Sequence, residues 1–269
     1  MKQPLLSIII PTHNRRAQVL ETLRALAAQS WPMAKAEVIV VADACEDDTV
    51  EQVRAYGPGA PFRLLVLAHS ARSAARTRNY GVQHASSPTL LFLDDDVIPC
   101  RDLVRAHVQA QRDTNVVLGY SKPMVPARAS WFQRDARRWW EDTYREIGRS
   151  GHRFTYRDFF SGNVSMPTSL FRQLEGFDET ITGRLEDYEL GVRLLKAGAR
   201  FVFEPAALGF HHDYTDLEKW LLRIRMEGVA DIQIGQRHPE LRSQLFGHFE
   251  TLHGRWTRLL RDAAFISPM

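Results

Sequence analysis

The sequence predicts an α/β protein, built on a mostly parallel sheet with helices on both faces and continued by a helical C-terminal segment. Three observations lead there. Short apolar runs recur in the first hundred residues, at Leu5 to Ile10 (broken only by Ser7), Val38 to Val41, Leu64 to Leu67 and Leu90 to Leu93, as strands buried on both faces do. Segments of helical spacing separate them, and such alternation implies crossover connections in a parallel sheet. Polar residues gather just beyond the runs, where ligands sit at the carboxyl ends of parallel strands.

In order, the first strand stops at Pro11-Thr12-His13-Asn14, and a helical pattern (Val19, Leu20, Leu23, Leu26, Ala27) runs to Trp31-Pro32. Glu37 to Ala42 is the second strand, ending at Asp43 and followed by a short helix around Val50 to Tyr56. After the third strand, Arg72 to Ala85 reads as a helix that places Arg72 and Arg76 on one face. The fourth strand runs into Asp94-Asp95-Asp96 and is closed by Pro99. Trp131 to Ile147 has the pattern of an amphipathic helix, with aromatic residues among seven arginines between Arg134 and Arg157. Phe159 to Pro167 reads as a strand leading to a helix near Ser169 to Leu174, Gly183 to Gly198 as a helix, and Arg200 to Pro205 as a strand. From Asp213 onward one or two helices are expected, with a further helical segment over Leu241 to Phe265.

At 269 residues and 44% hydrophobic content the chain is globular. A net charge of +3 is too mild to argue for nucleic acid. No run of about 18 apolar residues and no secretory leader pattern is present, so a cytoplasmic protein is expected, with peripheral contact on the inner membrane face left open. Cys45 and Cys100 lack metal spacing. Between Glu51 and Asp94 lie five arginines and no acid, a local cationic face suited to an anion.

Three adjacent carboxylates repel one another and call for a cation. Mg²⁺ takes oxygen ligands, one or two of them carboxylates, while substrate phosphates complete its shell. In an extended chain Asp94 and Asp96 share a side, which makes Asp-x-Asp either a metal and diphosphate clasp or simply an acidic turn after a strand.

Ser7 to Arg15 (Ser-Ile-Ile-Ile-Pro-Thr-His-Asn-Arg), Val38 to Thr49, Ala75 to Gly81 and Phe92 to Asp96, in this order and spacing, resemble the signatures of family 2 glycosyltransferases with the GT-A fold. The likeness continues through Ser161-Gly162-Asn163, Gly176-Phe177-Asp178-Glu179 and Leu185 to Leu190, and covers roughly residues 5 to 212. It implies a GT-A type, Rossmann-like fold: a nucleotide-sugar-binding half over residues 1–100, an acceptor-binding and catalytic half over 101–213, and a helical extension over 214–269. It implies that Pro11, Thr12, Asn14 and Asp43 hold the nucleoside, although Ala42 stands where the family often has a second acid. Arg78, Asp94 and Asp95 would serve the diphosphate end, and Asn163 would line the donor sugar. Asp47 would tighten its turn. Mg²⁺ or Mn²⁺ would sit on Asp94 and Asp96, completed by a histidine for which His211 is preferred to His212. Asp187 would be the general base, with Glu186 beside it binding acceptor hydroxyls.

The implied reaction is inverting transfer of one sugar from a nucleotide-diphosphate sugar, with UDP preferred, to a hydroxyl of a carbohydrate or lipid-linked acceptor. The Gln-x-x-Arg-Trp signature of processive relatives is absent. Two other readings stay open: a nucleotidyltransferase on a related sheet, and a non-catalytic nucleotide-sugar-binding protein. A carboxylate in a first helical turn is expected to have its pKa lowered by the helix dipole, and Trp220, Trp256, Arg255, Arg258 and Arg261 form a candidate membrane face.

Overall fold

The computed structural model describes residues 3–111, 115–182, 184–212, 216–242 and 244–245; the segment carrying Arg255, Trp256, Arg258 and Arg261 lies outside them. Eight strands form one sheet: β1 (Leu6–Thr12), β2 (Ala36–Asp43), β3 (Arg63–His69), β4 (Thr89–Leu93), β5 (Val97–Pro99), β6 (Asn115–Pro123), β7 (Asn163–Pro167) and β8 (Arg200–His211). Their order is β3-β2-β1-β4-β7-β6-β8-β5. The first four are mutually parallel. β7 runs antiparallel between β4 and β6, β6 and β8 are parallel, and β5 pairs antiparallel with β8. The sheet is therefore parallel where strands alternate with helices and mixed beyond.

Alternation along β1 divides the core. Ile9, with Ile39, Val41 and Phe92, faces α3 (Ala74–Gln83), α6 (Thr168–Gln173) and α7 (Glu186–Lys196) through Ala75, Val82, Phe171, Leu190 and Leu194. Ile8 and Ile10, with Val38, Val40, Leu91 and Leu93, face α1 (Arg16–Ala27), α2 (Thr49–Tyr56) and α4 (Leu103–Ala110). Every one of these strand residues is fully buried, each contributing roughly 2 kcal/mol relative to exposure. At Gly81 of α3 a Cβ would stand 2.7 Å from Ile9 Cγ2; only glycine lets the helix lie this close to β1.

Several boundaries differ from expectation for identifiable reasons. α3 begins at Ala74, two residues later than the spacing predicts, because the Asp43 carboxylate takes the N–H groups of Arg72 and Ser73, each at 2.9 Å, and Ser73 caps the helix. Arg72 therefore leaves the face expected to hold it with Arg76. It pairs with Glu46 at 3.1 Å, and Arg76 with Glu179 at 3.6 Å. α7 starts at Glu186, after Leu185 in the left-handed region (φ 65). Asp94 to Asp96 form a turn, the Val97 N–H donating to the Asp94 carbonyl at 3.2 Å, so the two-residue alternation of a strand does not govern where these acids point.

β8 is a single strand with a bulge. Gly119 of β6 opposes Glu204, and Tyr120 opposes Leu208, so Pro205, Ala206 and Ala207 are extra. The bulge redirects β8 toward β5, where His211 pairs with Val97, immediately after the acid turn. α5 (Trp131–Ile147) and α8 (Leu217–Arg237) complete the described chain. No described helix is long and apolar enough to cross a membrane.

Candidate active site

The end of β4 places three acids among polar side chains drawn from four other segments, Thr12 of β1, Arg15 before α1, Arg78 of α3 and His211 of β8. Asp94 Oδ1 accepts from Arg78 Nη2 at 2.8 Å. Asp95 is buried, its Oδ2 accepting from Thr12 Oγ1 at 2.7 Å and its Oδ1 from Arg15 Nη1 at 2.9 Å. The same Arg15 nitrogen donates to Asp96 Oδ2 at 2.7 Å, and Asp96 Oδ1 lies 3.5 Å from His211 Nε2. Burial pushes the Asp95 carboxyl up to about 6; Arg15 pulls it back and Asp96 adds to the rise. The backbone is gripped too, Thr22 Oγ1 donating to the Asp95 carbonyl and the His212 N–H to that of Asp96, each at 2.9 Å.

Asp96 and His211 thus meet, while Asp94 turns to Arg78. Among the described residues no group of three or more His, Cys, Asp or Glu is gathered to hold a metal ion, so the expected trio of Asp94, Asp96 and His211 is present as a pair. That pair fits a divalent cation. Two donors each about 2.1 Å from one ion stand roughly 3.0 to 4.2 Å apart as their angle opens from 90° to 180°, and 3.5 Å falls inside that range. Phosphate oxygens and water would fill the remaining positions.

Arg78, on the buried face of α3, connects this turn to α7. Its Nη1 donates to Glu186 Oε1 at 2.9 Å while Nη2 holds Asp94; the two acids hold its pKa above the usual guanidinium value, and burial opposes them. Asp187, next along, makes no ion pair among the described residues. The residue is half-buried, and its carboxylate accepts from the Tyr188 N–H at 2.9 Å. Surrounding protein nevertheless pushes it up to about 7, and Glu186 adds repulsion, while Arg78 and Arg184 act the other way. The dipole argument thus predicts the wrong direction, because desolvation of an unpaired carboxylate outweighs it. Glu189 is no substitute base: it is buried, bound by Arg193 Nη2 at 2.6 Å and His238 Nε2 at 3.1 Å.

The residues expected around a nucleoside sit together at the ends of β1 and β2 with their side chains engaged. Pro11 and Thr12 end β1, and Thr12 serves Asp95. Asn14 Oδ1 accepts from the Glu46 and Asp47 N–H groups at 2.8 and 3.3 Å, bracing the β2–α2 loop. Asp47 Oδ1 accepts from the Thr49 N–H at 3.1 Å. Asp43 accepts three bonds, from the Arg72 and Ser73 N–H groups and from Thr77 Oγ1, which leaves about one of a carboxylate's four acceptor positions for a base. Asn163, expected to line the donor sugar, lies at the start of β7. It is buried, its Oδ1 against His107 Nε2 and its Nδ2 donating to the Ala207 carbonyl, each at 2.9 Å. His107, fully enclosed, has its pKa lowered to about 4 by burial, and the neutral ring ties α4 to β7. The neighbouring Gly162 bears on the site more directly, since a Cβ there would meet Asp94 Oδ2 at 2.6 Å.

Arg15 is the site residue that the sequence reading missed. It ends the Pro-Thr-His-Asn-Arg stretch, and the signal was topological: β1 lies beside β4, so whatever follows β1 is within reach of the acids that follow β4.

A family model described as "Glycosyl transferase family 2" matches residues 7–174, and one described as "N-terminal domain of galactosyltransferase" matches 142–216. Validoxylamine A glucosyltransferase of Streptomyces hygroscopicus subsp. jinggangensis is 29% identical over 275 residues, covering 90% of this chain and 63% of the relative. Pre-mycofactocin glycosyltransferase of Mycobacterium tuberculosis is 28% identical over 244 residues, 87% of this chain and 48% of the relative. This chain thus spans less than two thirds of the length of these relatives. Among solved structures, the mannosyltransferase PcManGT from Pyrobaculum calidifontis in complex with GDP-Man and Mn²⁺ superposes with a TM-score of 0.69 at 19% identity, covering 100% of this chain and 77% of that one. S. aureus TarS 1-349 in complex with UDP gives 0.60 at 20% identity, covering 85% and 65%. The fold is of the GT-A type.

Proposed function

The chain belongs to glycosyl transferase family 2, and from that premise we propose that it transfers one sugar, with inversion, from a nucleotide-diphosphate sugar to a hydroxyl of a carbohydrate or lipid-linked acceptor. The observation that carries the reading is the polar line Asp94–Arg78–Glu186, ending beside Asp187, a carboxylate that has no ion pair among the described residues and whose pKa burial pushes up to about 7. A general base works best with a pKa near the operating pH.

Asp187 takes the proton of the acceptor hydroxyl as that oxygen forms its bond to the anomeric carbon. The bond to the diphosphate breaks on the opposite face, and its electron pair leaves with the diphosphate. Glu186, fixed by Arg78 through one oxygen, has the other available for an acceptor hydroxyl. The nucleoside lies over Pro11, Thr12, Asn14 and Asp43, with the diphosphate toward Asp94 and Asp95. Asn163 backs the donor end from within the sheet. Mg²⁺ or Mn²⁺ held by Asp96 and His211 would neutralise charge growing on the leaving diphosphate. Support for a nucleotide sugar and a divalent ion comes from PcManGT with GDP-Man and Mn²⁺ and from TarS with UDP; UDP is the preferred nucleotide.

For a lipid-linked acceptor or a peripheral membrane contact, α8 offers Leu217, Leu221, Leu222, Val229 and Ile232, all exposed. Near its start, Trp220 packs on Phe132, the neighbour of exposed Trp131. Sedimentation with anionic liposomes tests this part.

Melting with UDP, GDP and their sugars, with and without Mn²⁺, tests the whole. A Mn²⁺-dependent rise with one nucleotide, followed by slow Mn²⁺-dependent hydrolysis of its sugar conjugate, is expected. No stabilisation by any of them would overturn the proposal.

A further inference from the structure

The acid turn has three fastenings on the β1–α1 side, and one of them acts on the orientation of a single carboxylate. Thr12 holds the Asp95 side chain and Thr22 the Asp95 carbonyl. Arg15, the residue before α1, places one nitrogen between Asp95 Oδ1 and Asp96 Oδ2. Two carboxylates thereby satisfy both hydrogens of that nitrogen. The Asp96 backbone is already fixed by His212, so the freedom left to Asp96 is rotation of its carboxylate. The bond to Arg15 removes it and leaves Oδ1 on the side of His211.

We propose that Arg15 is a positioning residue for the cation site: it does not touch the ion, but ties back one oxygen of Asp96 so that the other is presented together with His211. This rests on the reading of Asp96 and His211 as the ion's protein ligands. Arg15 exerts two effects of opposite sign on a divalent ion. Its charge repels the ion; its grip on Asp96 favours the ion. Removing a residue that orients a metal ligand typically costs 10- to 100-fold in affinity, whereas removing a mere neighbouring charge would tighten binding.

The experiment titrates Mn²⁺ into the full chain with UDP or GDP, whichever stabilises the wild type, and reads free Mn²⁺ by electron paramagnetic resonance. Arg15→Gln is expected to weaken Mn²⁺ binding at least tenfold. Arg15→Lys, which keeps a charged donor but not the planar fork, is expected to fall between Gln and wild type. Circular dichroism and melting check the fold of each. Equal or tighter Mn²⁺ binding in a folded Arg15→Gln would overturn the proposal, and so would failure of both variants to fold, which would make Arg15 part of the framework. Asp96→Ala and His211→Ala separate the two levels: if neither weakens Mn²⁺ binding, the ligand assignment itself is wrong, and if both do while Arg15→Gln does not, only the role of Arg15 falls.

Discussion

The turn after β4 and the first turn of α7 each carry three acids within four residues, and the two clusters are treated differently. In the turn after β4, Arg78 meets Asp94, Arg15 joins Asp95 to Asp96, and His211 approaches Asp96. At α7, Arg78 meets Glu186 and Arg193 meets Glu189, which leaves Asp187 between them without an ion pair among the described residues. The arrangement of cations, rather than the number of acids, therefore sorts the chemistry. Under the proposed function, the carboxylates kept among cations are those that would meet a metal and a diphosphate, and Asp187, without an ion pair among the described residues, is the one that would exchange a proton.

Replacing Asp187 by Asn abolishes that contrast and should have the largest effect. Transfer is expected to fall by about 10² or more, with Mn²⁺ and nucleotide affinity nearly unchanged. Retention of most of the rate under saturating substrates, with chemistry limiting, would move the base to Glu186.

Glu189→Gln probes the paired member of the same helix turn. Leaving the Arg193 guanidinium without its buried partner should cost roughly 3 kcal/mol in denaturant unfolding, while the rate per folded molecule is kept. A lost rate with intact stability would contradict the structural role.

The pH profile sharpens the comparison without a mutation. Asp187 must be ionised to accept a proton, so turnover should climb through about pH 7 and fall about tenfold per unit below it. Stability provides an independent sign. A carboxyl with a folded pKa near 7 and an unfolded value of 3.8 favours the protonated fold, so wild type should lose stability as pH rises from about 4 to 7. Asp187→Asn should be the more stable protein above pH 7, and the difference should vanish near pH 4; equal melting curves at pH 8 would dispose of the burial argument.

Gly162→Ala acts on the turn after β4 alone and should give the smallest change. A methyl group 2.6 Å from Asp94 Oδ2 must displace that carboxylate, and about a tenfold weaker nucleotide affinity with an intact fold is expected. Unchanged affinity would place the diphosphate away from Asp94.

The parallel half of the sheet was legible because buried strands write themselves as apolar runs: Ile8 to Ile10 and Val38 to Val41 have no polar interruption. β6 and the bulge of β8 were not, since Tyr120, Ser121 and Pro205 break any periodic pattern. In the site, resemblance pointed to the acids, and their partners were harder to see. Arg15 and Asp95 lie 80 residues apart, and Glu186 lies 108 from Arg78; no local pattern encodes such pairs. The dipole at the start of α7 was legible, yet burial of Asp187 reversed its consequence.

His211 and His212 are neighbours, and composition does not choose between them. The choice is one of parity. The extra residues of the β8 bulge number three, an odd insertion, and each residue added to or removed from a strand exchanges its two faces. Deleting one residue among Pro205, Ala206 and Ala207 should therefore point His212 where His211 now points, with no change to either histidine. The identity of the residue that meets Asp96 is thus set by a count made several residues upstream, so insertions there select chemistry as directly as substitutions in the site do.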